Sequence, residues 1–162
     1  MDRGQRFVRH DHDHQACVAD ALTEAEALCR ARGAKLTALR RRVLEMVWDS
    51  HSPVGAYELL DRLRAEGRSG APPTVYRALD FLAEFGLVHR LSSLNAFIGC
   101  AHPGQSHAGQ FLICTGCRRV LELAEPGIAA AVSAGARRTG FKVSAAAIEV
   151  SGLCPDCQRA AA

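Results

Sequence analysis

The chain has 162 residues, 48% of them hydrophobic, with seven cysteines and a formal net charge of +3. That length holds one medium domain or two small ones, and the apolar fraction is ordinary for a globular protein. The segment MDRGQRFVRHDHDHQ has no apolar core, which speaks against a signal peptide. No run approaches the roughly 18 consecutive apolar residues of a membrane span, so a cytoplasmic location is expected. An odd number of cysteines, four of them in two CxxC pairs, argues against a disulfide framework.

Residues 1–15 are polar and are expected to form a disordered His-rich tail. Its HDHDH run (His10 to His14) is read as a weak metal scavenger rather than a built site. From about Gln15 to Arg32, Val18, Leu22, Ala25 and Leu28 recur at helical spacing. Thr37 then suits an N-cap, and Leu39, Val43, Met46 and Val47 form the stripe of a second helix ending near Ser50. A third helix follows the Ser52-Pro53 turn, with Leu59, Leu60 and Leu63 apolar, and stops at Gly67. In PPTVYRALDFLAEFG two prolines pre-set a fourth helix. Val75, Leu79, Leu82 and Ala83 are its expected core face, and Gly86 its C-terminal glycine.

The period then changes. LVHRLSSLNAFIGC predicts a hairpin around Ser-Ser-Leu-Asn, and three helices plus this hairpin outline a winged helix-turn-helix. Beyond it the pattern reads strand (Gln110 to Cys114), CxxC turn, strand (Val120 to Leu123), helix (about Pro126 to Thr139), strand (Lys142 to Val150) and a short tail. The fold class is therefore α/β (α+β). A winged-helix domain is expected over 16–93, followed by a small α/β domain over 94–162.

Between Arg30 and Arg77 there are ten Lys/Arg against five acids, an excess that suits a phosphate-facing surface. A charge run alone is more often a solvated helix face. On the fourth helix Tyr76 and Arg77 lie off the apolar stripe near the N-terminal end, where a recognition helix presents side chains to base edges. An arginine there can bond guanine O6 and N7 together. The plainer reading is that Tyr76 packs on a neighbour and Arg77 is solvated.

CTGC (Cys114, Cys117) and CPDC (Cys154, Cys157) are separated by thirty-six residues, and each follows a strand of the same small unit. Two such knuckles can converge into the closed tetrahedral four-cysteine site that zinc prefers. Zinc would then staple a tail with no other evident means of attachment. The alternative is a redox dithiol, but redox CxxC pairs sit at helix N-termini, and the first pair here turns between two strands. A zinc enzyme is disfavoured because no HExxH motif or three-histidine set is visible. His89, Cys100, His107 and Glu122 are irregularly spaced, and singly each has an ordinary structural reading.

RGAKLTALRRRVLEMV, AYELLDRLR, PPTVYRALDFL, GLVHR, FLICTGCRRVLEL and GLCPDC occur in the order found in the ferric uptake regulator (Fur) family, and the chain resembles that family from about Cys29 to Cys157. PPTVYRALDFL followed by GLVHR is similar to its zinc uptake regulator (Zur) branch. The resemblance implies a homodimeric, zinc-responsive repressor of zinc-uptake genes. Such a protein binds double-stranded operator DNA with pseudo-palindromic half-sites, and has no small-molecule substrate and no enzymatic activity. It implies two zinc ions per subunit. Cys114, Cys117, Cys154 and Cys157 match the structural site, and His89, Cys100, His107 and Glu122 the regulatory one. Tyr57 and Arg77 match base-contacting positions, and Arg40 one facing the DNA backbone. Asp61 and Arg64 match a pair linking adjacent dimers on DNA.

Three departures bear on this. HPGQSHAGQFLIC lacks the HHDH-like cluster of the iron-sensing branch. LTALR has Ala38 where proline is common. The loop carrying His107 varies in length within the family, which makes His102 a rival ligand. Cys100 as a thiolate favours zinc over iron(II) or manganese. Iron, manganese or peroxide sensing is the alternative within the family, and a thiol redox or zinc-storage protein the alternative outside it.

Overall fold

The computed structural model describes residues 7, 14–49, 52–68, 71–105 and 107–161. His10 and His12 of the tail lie outside them. The chain divides into two compact units, Val8–Gln105 and Met1–Phe7 with Ser106–Ala162, here called the helical unit and the sheet unit. Among the described residues no helix is long and apolar enough to cross a membrane.

The helical unit contains α1 (His14–Ala31), α2 (Ala38–Trp48), α3 (Ala56–Ala65), α4 (Pro72–Glu84) and the strands β1 (Val88–Leu91) and β2 (Ala96–Gly99). Local chemistry sets most of these limits. The Thr37 hydroxyl accepts the Arg40 N–H at the start of α2, which satisfies one of the unpaired donors of the first turn. Pro72 and Pro73 occupy the first two positions of α4, where no intrahelical N–H is needed. At its other end Gly86 takes φ +66°. Its N–H reaches Ala83 O at 2.9 Å, and Leu87 N–H reaches Leu82 O at 2.8 Å. This paired closure needs a left-handed residue, which glycine supplies without steric cost. The chain is thereby turned directly into β1.

The core of this unit joins Leu22, Ala25 and Cys29 of α1 with Val43, Leu44, Met46 and Val47 of α2. Leu59, Leu60 and Leu63 of α3 and Val75, Ala78, Leu79 and Leu82 of α4 complete it. Two expectations for α4 are corrected. Ala83 is exposed and Ala78 is buried in its place, because Val75, Ala78, Leu79 and Leu82 are the positions that share one helical face. Tyr76 does not point outward. It is half-buried against the core, since its ring is long enough to fold back from the edge of the stripe.

β1 and β2 pair antiparallel, Val88 with Gly99 through Leu91 with Ala96, around the Ser92–Asn95 turn. Val54 adds a bridge to Phe97, with reciprocal N–H to O bonds of 2.9 and 2.8 Å. This pairing keeps β2 with the helices, so the helical unit extends to Gln105 rather than to 93.

The sheet unit contains β3 (Gly109–Cys114), β4 (Val120–Glu122), α5 (Pro126–Arg138), β5 (Ala147–Gly152) and α6 (Pro155–Ala161). The strand order is β4-β3-β5, with β3 antiparallel to β4 and parallel to β5. The parallel pair needs a crossover, which α5 supplies. The last strand begins at Ala147, not Lys142, because Ala147 is the residue that meets Gly109, where β3 begins. The tail is helical where none was predicted. Pro155 opens α6 and Asp156 lies in its first turn, both favourable at a helix start.

Trp48, the single tryptophan, packs so closely on Gly99 that a Cβ there would overlap its indole ring. Gly99→Ala should therefore push the indole aside and cost about 1–3 kcal/mol of stability. The expected readouts are a changed tryptophan emission and a lower urea midpoint.

Candidate metal centres and nucleic-acid interface

The sheet unit places all four paired cysteines together. The first knuckle is the loop between β3 and β4. Cys114 N–H donates to Arg119 O at 2.9 Å, Arg118 N–H donates to Cys114 O at 2.9 Å, and Arg118 takes φ +61°. The second knuckle is the start of α6, where Gln158 N–H donates to Cys154 O at 2.9 Å. Thr115 ties the two together, its N–H and hydroxyl both donating to Gly152 O at 2.8 and 3.1 Å. A zinc–sulfur bond of about 2.3 Å places tetrahedral ligands about 3.8 Å apart. Cys117 Sγ and Cys154 Sγ are 3.7 Å apart, and the four sulfurs all lie within 4.8 Å of one another. The four cysteines therefore fit a zinc ion. CPDC does sit at a helix N-terminus, the setting of a redox pair. Its sulfurs nevertheless face a second thiol pair instead of standing alone, which favours metal over dithiol chemistry.

The surroundings favour sulfur anions at part of the cluster. Burial pushes the Cys114 thiol up, but N–H donors from Cys154, Cys117 and Gly116 outweigh it and bring the pKa down to about 6. Cys154 N–H to Cys114 Sγ, at 3.2 Å, is one of these. Cys117 is also lowered: against its burial, the Arg119 guanidinium donates to its sulfur. Cys157 is pushed up to about 12 by hydrogen bonding with Cys154 and then Cys114. Arg119 itself escaped the sequence reading, where it was one of two arginines after the knuckle. It is buried, with Nε 3.2 Å from Cys117 Sγ and Nη2 3.2 Å from Cys154 Sγ and 2.7 Å from Asp156 Oδ2.

The other four predicted ligands fall into two pairs, one in each unit. In the helical unit, His89 lies on β1 opposite Ile98, and Cys100 follows β2 with its N–H donating to Leu87 O at 3.0 Å. That register puts His89 and Cys100 on one face of the hairpin as diagonal neighbours. Cys100 is fully buried and His89 half-buried. In the sheet unit, Glu122 sits on β4 opposite Phe111, and its Oε1 lies 2.7 Å from His107 Nε2. Glu122 is buried, although an isolated strand carboxylate would be read as facing solvent. A thiol beside an imidazole and an imidazole beside a carboxylate are donor pairs suited to zinc.

The helical unit also locates the predicted DNA contacts. Tyr57, in the first turn of α3, is 66% exposed, a large value for an aromatic side chain with no structural need of solvent. Arg77 is exposed on α4. Arg40 is half-buried, its guanidinium stacked 3.5 Å from the Phe81 ring centroid and donating to Lys35 O at 2.7 Å. The arginine excess is less free than the sequence count implies. Arg42 binds Glu66 through Nε and Nη2 and Glu45 through Nη1. Arg62 meets Asp49 at 2.5 Å, and Arg41 pairs with Glu26 and Glu45. Asp61 and Arg64 are exposed on α3 and 3.7 Å apart.

Helices ending in a hairpin wing, with a four-thiol cluster in a separate sheet unit, define a two-unit metal-binding fold. Residues 31–151 match the ferric uptake regulator family, and the chain belongs to it. Among individual proteins it is 37% identical to the zinc uptake regulation protein of Escherichia coli K12, over 85% of this chain and 81% of that protein. Its structure resembles a zinc uptake regulator complexed with zinc and DNA, with a TM-score of 0.85 and 36% identity over 89% of this chain and 97% of that one. It also resembles holo XcZur, with a TM-score of 0.80 and 44% identity over 88% and 99% of the two chains.

A methyl group at Gly116 would stand 2.9 Å from Cys157 Sγ and 3.2 Å from its Cβ. Gly116→Ala should spread the knuckles at a cost of about 1–3 kcal/mol. Calorimetry should show a lower melting temperature, and a thiol reagent should react faster with the cysteines.

Proposed function

We propose that this protein is a zinc-responsive DNA-binding repressor of zinc-uptake genes, acting as a homodimer in the cytoplasm and having no enzymatic activity. In this reading each subunit takes two zinc ions. Cys114, Cys117, Cys154 and Cys157 hold the structural one. His89, Cys100, His107 and Glu122 hold the regulatory one, with His102 as the rival to His107. The observation that carries the zinc assignment is the buried Cys100 thiol beside His89. A soft sulfur donor favours zinc, whereas iron(II) and manganese sites lean on imidazole and carboxylate. The relatives support the same reading, since the similar proteins are a zinc uptake regulation protein and a zinc uptake regulator bound to zinc and DNA.

Zinc, when bound, supplies a tetrahedral preference for such mixed donors. The protein's part follows from where the donors sit. His89 and Cys100 belong to the wing hairpin, while His107 and Glu122 belong to the sheet unit. Ligation by both pairs would couple the wing to the sheet unit and favour one arrangement of the two. In a dimer that arrangement sets the separation of the two α4 helices to half-sites spaced by the DNA helical repeat. Arg77 and Tyr57 then meet base edges, and Arg40, held by Phe81, faces the backbone. Tyr76 supports α4 from the core side.

Cys100→Ser should keep the dimer and the fold but lose the zinc dependence of operator affinity, measured by fluorescence anisotropy across a series of free zinc concentrations. Zinc-dependent binding that survives this substitution rules out the coupling role of Cys100. Repeating the titration with iron(II) and manganese(II) discriminates the sensors within the family. Separately, Arg77→Ala should weaken specific binding by about 1–3 kcal/mol at one base pair per half-site.

A further inference from the structure

We propose that Arg119 is a positioning residue of the four-cysteine centre, a buried guanidinium clamp that joins the two knuckles and slows loss of the metal. The inference rests on the structural-zinc reading of Cys114, Cys117, Cys154 and Cys157.

The geometry is specific. Arg119 follows the first knuckle by two residues, and its side chain is only 6% exposed. It donates to one sulfur of each knuckle, from Nε to Cys117 Sγ at 3.2 Å and from Nη2 to Cys154 Sγ at 3.2 Å. Nη2 also meets Asp156 Oδ2 at 2.7 Å, and Asp156 in turn pairs with Arg159 on α6. A planar fork with fixed N–H directions spans two sulfurs and a carboxylate in one preorganised geometry, whereas an ammonium is a compact charge with rotatable donors on a flexible stem. Burying an arginine is costly unless its charge and donors are matched. Here they are matched by the metal-binding sulfurs and by a residue inside CPDC.

Two consequences follow from charge and hydrogen bonding. Four thiolates on a dication leave two negative charges in excess, and a guanidinium against two of the sulfurs offsets part of that excess. Donors to a ligand sulfur also draw electron density from it, making it a poorer target for protons and electrophiles. Because the fork links Cys117 to Cys154, it also resists separation of α6 from the β3–β4 loop. Outer-shell partners of this kind change metal affinity by about 10- to 100-fold when removed.

The test uses the zinc-loaded full-length protein and its Arg119→Met, Arg119→Lys and Asp156→Asn variants. Zinc content is measured first, followed by the rate of zinc transfer to a chromogenic chelator in excess. Arg119→Met should release zinc from the four-cysteine site about 10- to 100-fold faster. Arg119→Lys, which keeps the charge but not the fork, should fall between the two. Asp156→Asn, which touches no sulfur, should give a smaller acceleration in the same direction. The cobalt(II)-substituted proteins give a second readout that a merely structural ion pair would not move. Loss of the N–H donors in Arg119→Met should shift the thiolate-to-cobalt absorption to longer wavelength. Should Arg119→Met fail to fold, the Lys and Asn variants must still show the graded order. Unchanged release rates and an unchanged cobalt spectrum overturn the proposal. If Cys117→Ser leaves the zinc content of the protein unaltered, the structural-zinc reading itself fails, and the clamp falls with it.

Discussion

The convergence of four sulfurs is the constraint on which the sheet unit depends. In that unit α5 contributes no buried residue. Val132, Phe141, Val143, Val150 and Leu153 are exposed, and among the described residues of this unit Phe111 is the one large apolar side chain that is fully buried. A three-stranded sheet whose longer helix adds no buried residue has little apolar burial to set against the ordering of its chain. A metal held by Cys114, Cys117, Cys154 and Cys157 would join the β3–β4 loop to α6 and close the unit at one end, and its binding would be folding free energy. Buried Arg119 and the Thr115 bonds to Gly152 strengthen the same junction. The apolar side chains left on α5, β5 and the segment between them are what a unit that completes its core in a dimer would expose.

The helical unit has the opposite economy. Its core draws on four helices and both strands of the hairpin, so it does not rely on a metal for cohesion. What the core leaves outside includes residues proposed to contact DNA or metal: Tyr57 at the start of α3, Arg77 on α4, and half-buried His89 on β1. Charge count was a poor guide to this face. Arg41, Arg42 and Arg62 are engaged with Glu26 of α1, Glu66 at the end of α3 and Asp49 at the end of α2. They tie these helices together, whereas Arg77 is exposed on α4.

Most of the helical elements were legible in the sequence because helix period, proline starts and glycine ends are local properties. Thr37, the Pro72-Pro73 pair, Gly67 and Gly86 mark boundaries that the structure keeps. Errors arose where the outcome depends on a distant partner. The last strand starts at Ala147 because β3 starts at Gly109, a matter of register that no local window contains. Ala83 and Tyr76 changed places with respect to solvent because the width of the buried face is set by what packs on it. The α6 signals were present in Pro155 and Asp156, but they are weak in so short a segment.

The candidate sites divide in the same way. Sequence by itself determined the two CxxC pairs as donors suited to zinc, whereas the cysteine, two histidines and glutamate were picked out only through the family resemblance. It also determined the order of elements that carries them. Only tertiary structure decided that Cys154 and Cys157 meet Cys114 and Cys117, and that Glu122 is buried against His107. It alone brought Arg119 into the four-sulfur cluster. The physical reason is distance along the chain. Spacing within a turn is set by backbone geometry, whereas sulfurs nearly forty residues apart are joined only when the sheet aligns β5 beside β3.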